Sequence, residues 1–286
     1  MPVSAPSISP VPQPPNTPAS QPQAAPQPAS TPHPASAPHQ PASPPETTVA
    51  QADLLRLVHG LEHVVVRGDG NCGIEAALVG RLSQQRHRPS ATTSGEYVAE
   101  LRREVKAARH SMANTLGARM DPENASVPAT DPHTWLFETE AEQLGLLPGE
   151  YATALHEDGC YIDASGVQEL AIELNTNIVV LSYLGNSRWT HSVFIASGEY
   201  PAADLSLADM VAHPEHYVFL VRTNSHQDVT GLTGHYNLLI PRAQYNVVLH
   251  TTSAQVRPAC SVLQSVGHRL DEEVIPQSLQ YAVTLL

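Results

Sequence analysis

A chain of 286 residues with 41% hydrophobic side chains is long enough to bury a core, and its net charge of −13 repels phosphate backbones, which demotes nucleic acid and favours a basic face on a protein partner. No apolar run approaches the roughly 20 residues a membrane span needs, and no basic start followed by a hydrophobic stretch marks a secretory signal. Cys72, Cys160 and Cys260 make neither an even framework nor a Cys-x-x-Cys pair, so free thiols in a reducing compartment are expected.

Residues 1–50 hold 16 of the 26 prolines among Ala, Ser and Gln, with Glu46 as the one charged side chain. Such a stretch lacks the apolar groups that offset ordering entropy and reads as a disordered leader. Removing it leaves a net charge of −12 on residues 51–286.

Residues 51–62 show a short helical pattern that Gly60 should end, followed by a β-branched strand from His63 to Arg67. The turn Gly68-Asp69-Gly70-Asn71 comes next, and Ile74, Leu78 and Leu82 recur four apart, which predicts a helix from Cys72 to about Leu82. Asp-Gly between apolar runs is also a hairpin signal, but no strand alternation follows it. Cys72 then opens a helix. Its thiolate is expected to gain from the dipole's positive end, and the unpaired amides of the first turn could hold an oxyanion.

The strongest helix is predicted over Gly95–Met120, with Leu101, Val105, Met112 and Leu116 inward and Arg102, Arg103, Glu104 and Lys106 outward. A further helical segment runs through Trp135, Phe137, Leu144 and Leu147, and its aromatics read as core. It is broken at Pro148-Gly149, and another helix is expected over Ala164–Asn175. Strands follow at Ile178–Leu181, Thr190–Ala196 and Tyr217–Val221, with a short helix at Leu205–Val211. A polar loop then leads to His235-Tyr236-Asn237 and a strand ending at Pro241. Tyr245–His250 suggests another strand, and Val274–Leu286 a terminal segment. Early helices and late, mostly antiparallel strands make an α+β chain.

A thiol nucleophile needs a base, and the base needs a group that fixes its tautomer. Among 15 histidines, His87, His110, His133, His156 and His226 read as solvated polar residues. His235 begins a strand, and Asn237, two residues on, shares its face and can orient it; a satisfied polar pair is the alternative. Cys160 and His156 are too few to make a zinc site, and no metal or cofactor is expected.

Asp69-Gly70-Asn71-Cys72 with Ala76, then Gly159 to Leu181, then Gly234-His235-Tyr236-Asn237 resemble the ovarian tumour (OTU) family of cysteine proteases, in the family's order. The resemblance implies a papain-like fold with a helical insertion, a recognisable core over 63–241 and a C-terminal extension over 242–286. It implies a deubiquitinase, with ubiquitin or polyubiquitin as partner, cutting after the modifier's terminal glycine. Cys72 would be the nucleophile, His235 the base, Asn237 its orienting residue and Asp69 the acidic residue of the Cys turn. The amides of Gly70, Asn71 and Cys72 would serve the oxyanion. Gly73, Glu75 and Tyr161 depart from the commonest residues, and the segment from Leu82 to Tyr151 is longer than in compact members, which suggests a helical lobe contacting ubiquitin. A viral-type polyprotein endopeptidase and an inactive ubiquitin-binding module are the alternatives. The compartment implied is a cytoplasm, that of a host cell if the chain is a bacterial effector.

Overall fold

The computed structural model describes residues 47–66, 68–85, 94–120, 132–198, 205–223, 235–242 and 256–265. The leader as far as Glu46, the suggested strand at Tyr245–His250 and the segment Val274–Leu286 lie outside these residues. Among them, no helix is long and apolar enough to cross a membrane.

The chain is α+β. Among the described residues seven strands form one sheet: β1 (Thr47–Ala50), β2 (Leu61–Val64), β3 (Asn177–Gly185), β4 (Arg188–Phe194), β5 (Tyr217–Thr223), β6 (His235–Pro241) and β7 (Val256–Pro258). Their order is β1-β4-β3-β5-β6-β2-β7; β3 and β5 run parallel, and the other neighbours antiparallel. The central strands bury both faces, as a continuous β-branched run requires. In β6, Tyr236, Leu238 and Ile240 enter one apolar cluster and Leu239 the other; in β5, Val218 and Leu220 are separated from Phe219 and Val221 in the same way.

Helices cover both faces. On one lie α2 (Cys72–Gln84), α3 (Ser94–Arg119), α4 (Pro132–Gln143), α5 (Pro148–Ala154) and α6 (Ala164–Glu173); on the other lie α1 (Gln51–Leu57), α7 (Leu207–Ala212) and a helical turn over 259–265. The long helix α3 belongs to the core, with Met112, Ala113 and Leu116 wholly buried. Burial of a large apolar side chain such as Met112 or Leu116 is worth about 1.5–3 kcal/mol. Phe137 stacks on Tyr151 at 4.9 Å between ring centroids, in keeping with a core reading of that aromatic segment.

Among the boundaries that differ from the sequence reading, three have a visible physical cause. Thr47–Ala50, assigned to the leader, pair with β4 as β1, because Thr-Thr-Val is β-branched and meets an open edge. β2 stops at Val64 instead of Arg67, since the Val66 amide donates to the side chain of Asn237 at 3.0 Å and leaves the ladder. Pro148 opens α5 as well as closing what precedes it, because its missing N–H costs nothing in a first helical turn.

Candidate functional site

The site is built where the start of α2 meets the start of β6. Helix α2 packs on β5 and β6, closely enough that a Cβ on Gly80 would come within 2.6 Å of Val218 Cγ1. Cys72, 1% exposed, is its first residue and lies against the start of β6. The Tyr236 amide donates to Cys72 Sγ at 3.4 Å. That bond ties the thiol to the residue immediately after His235.

By strand alternation His235 and Asn237 project to the opposite face from Tyr236. Asn237, 5% exposed, holds its Oδ1 3.0 Å from His235 Nε2 and accepts the Val66 amide with the same atom. A main-chain N–H can only donate, so the atom it meets is the oxygen and Nε2 carries the ring proton. Nδ1 is thus the bare nitrogen. It is buried, and among the described residues it has no hydrogen-bond partner. No hydrogen bond therefore joins the His235 ring to Cys72.

The ionisation of the pair departs from the sequence reading. Burial pushes the Cys72 thiol above its ordinary range, against the pull of the amides of Tyr236, Gly73 and Cys72 itself, and the Asp69 carboxylate adds to the rise. Burial lowers His235, against Asn237, the Val66 main chain and Asp69. Burial thus acts against the dipole advantage expected at a helix start and favours the neutral form of each group, thiol and imidazole.

Asp69 caps the turn from within: its Oδ1 accepts the Asn71 amide at 3.2 Å. That amide, assigned above to an oxyanion, is already engaged. The first helical bond of α2 runs from Glu75 N to Asn71 O at 2.9 Å, leaving the amides of Cys72, Gly73 and Ile74 without helical acceptors. Gly70 has φ +82°, and its main chain lies directly on Gly159. Gly73 stands under Tyr236 and Ile162, whose side-chain atoms lie 3.0–3.1 Å from where its Cβ would be, so a bulkier residue there would need both to shift.

Sequence reasoning missed Arg109. This wholly buried guanidinium of α3 donates through Nε to Asn71 Oδ1 at 2.8 Å, through Nη1 to Leu155 O at 3.0 Å, and through Nη2 to Gly70 O at 2.9 Å and Cys160 O at 2.8 Å. The signal was present: Arg109 follows Val105 by four residues and precedes Met112 by three, placing a charge in the apolar stripe of α3. Behind Tyr236, Arg222 lies over the ring at 5.9 Å and pairs with Asp163 at 3.4 Å, and Asp163 caps α6 through the Ala164 amide at 2.9 Å. His110 and His156, read as solvated, meet at 3.0 Å between their Nδ1 atoms. Among the described residues, no group of three or more His, Cys, Asp or Glu could hold a metal ion.

No family model and no curated protein matches the sequence. Among solved structures, the chain is similar to an OTU deubiquitinase from Wolbachia pipientis wMel bound to ubiquitin, at 11% identity over 64% of this chain and 98% of that one, with a TM-score of 0.41. It is also similar to the Hazara virus OTU bound to ubiquitin, at 16% identity over 69% of this chain and 87% of that one, with a TM-score of 0.34.

Proposed function

We propose that the chain is a cysteine-dependent deubiquitinase that hydrolyses isopeptide or peptide bonds after the terminal glycine of ubiquitin or a related modifier. The observation that supports the thiol chemistry is the bond from the Tyr236 amide to Cys72 Sγ, which ties the thiol to the residue next to His235, the imidazole whose tautomer Asn237 fixes. The choice of ubiquitin comes from the resemblance of Asp69-Gly70-Asn71-Cys72 and His235-Tyr236-Asn237 to OTU proteases.

Because both groups rest neutral, the thiol gives up its proton when substrate binds and the hydrogen bond to His235 Nδ1 forms, a tightening common on passing from free enzyme to complex. The sulfur then attacks the glycine carbonyl, and His235 passes the proton to the departing lysine amine. The resulting thioester is cleaved by water, with His235 taking the water's proton and returning it to sulfur. The amides of Gly70 and Cys72 receive the oxyanion, while Asn71, held by Asp69, keeps the turn in shape.

The test is a ubiquitin probe with a C-terminal electrophile. The native chain should form a covalent adduct and C72A should not. Reversible binding without adduct would favour a binding module, and cleavage of linear peptides with no adduct would favour the endopeptidase.

A further inference from the structure

We infer that Arg109 is a positioning residue for the Cys72 turn, its guanidinium both fixing that turn and supplying the fixed positive charge against which the thiolate forms. The inference rests on the reading of Cys72 as nucleophile. Its geometric part is the reach of one side chain. Two segments distant in sequence converge on Arg109: the turn before Cys72 through Gly70 O and Asn71 Oδ1, and the stretch that follows α5 through Leu155 O and Cys160 O. The close approach of Gly70 to Gly159 lies between these two. Without the fork, three carbonyls and one carboxamide oxygen would lose their donor.

The electrostatic part follows from what the four acceptors are. None is a carboxylate. A buried guanidinium is ordinarily neutralised by a paired acid, whose field cancels it at a distance. Here the four hydrogen bonds go to main-chain and amide oxygens, and the carboxylates of Asp158 and Asp69 join the Cys160 and Cys72 thiols among the groups that favour the cation. Ionised Cys72 is one of the groups that favour the cation, and the attraction is mutual. Burial is the largest influence on the sulfur and favours the neutral thiol at rest, so the charge of Arg109 is put to use in the thiolate of the reacting state.

The experiment follows the pH dependence of iodoacetamide alkylation at Cys72, read by mass spectrometry of its peptide in the full chain, so that it reports on the thiol whether or not ubiquitin is the substrate. R109Q, folded by circular dichroism, should raise the alkylation midpoint by about one pH unit, equivalent to a roughly tenfold smaller thiolate fraction at pH 7. R109K keeps the charge and loses the fork. Its midpoint should stay near that of the native chain, while hydrogen exchange over residues 68–74 quickens by about tenfold and exchange in β3 and β5 is unchanged. An R109Q midpoint equal to the native one overturns the electrostatic part. Should R109Q not fold, R109K decides: native exchange rates over 68–74, or a midpoint raised by a unit despite the retained charge, overturn the proposal. If the ubiquitin probe fails while these shifts appear, the substrate is wrong and Arg109 is not.

Discussion

Gly70 and Gly159 touch main chain to main chain: a Cβ built on Gly70 would lie 2.1 Å from the Gly159 carbonyl oxygen. Backbone on backbone leaves nothing flexible to yield, and Gly70 also holds a left-handed φ of +82°. Gly70→Ala should therefore cost roughly 2–4 kcal/mol, the sum of left-handed strain and overpacking, and lower the thermal midpoint. A native melting temperature in that variant would mean the two loops do not pack as described.

Asn237 serves two donors with one oxygen. Asn237→Ala should cut kcat by about 10- to 100-fold with little change in KM, because the imidazole loses its tautomer and aim while the substrate surface is untouched. Asn237→Asp keeps the acceptor and adds a charge that favours imidazolium, so it should recover part of kcat and move the acid limb of the rate profile upward. An equal loss in both variants would remove Asn237 from the orienting role.

The neutral resting pair fixes the shape of the pH dependence. Protonation of His235 removes the base, and its lowered value puts the acid limb of kcat/KM below about pH 6.5; ionisation of Cys72 with His235 neutral removes the acid for the leaving amine, and the raised value puts the alkaline limb above about pH 8.5. The profile expected is a broad plateau between those limits. A narrow bell centred near pH 6 would show a preformed ion pair instead.

Glu140 lies buried under the start of α6, accepting the Ser165 amide at 2.9 Å and meeting Ser165 Oγ and Tyr151 OH. Burial, with the nearby Asp163, pushes its carboxyl up to about 8. The folded chain thus keeps a proton that the unfolded chain releases near pH 4.3, so this site's contribution to stability is full below that pH and is lost as pH rises towards 8. Glu140→Gln retains the shape and the amide contact without the proton. Its thermal midpoint relative to the native chain should rise between pH 5 and pH 8; a gap that stays constant with pH would sink the assignment.

Periodicity carried most of the fold. The apolar spacing of α3, the β-branched run of β3 and the strand led by His235 were legible because burial on a helix or sheet leaves a period in the sequence. The turn before Cys72 was legible for a different reason, its density of Asp, Gly and Asn. What escaped depends on contacts between distant segments. The early end of β2 follows from a side chain 171 positions away capturing the Val66 amide. The ionisation of Cys72 follows from how completely β6 seals it, and the role of Arg109 from acceptors on two loops. None of these leaves a local pattern beyond a charge out of place in an apolar stripe.

Tyr236 faces α2 while its neighbours His235 and Asn237 turn the other way, and β6 is clasped between β5 and β2. Sliding that strand by a single position would invert all three side chains at once. His235, Tyr236 and Asn237 consequently keep or lose their facing together, with the pairing of their strand, so substitutions that merely soften remote surfaces should leave turnover intact until the sheet itself melts.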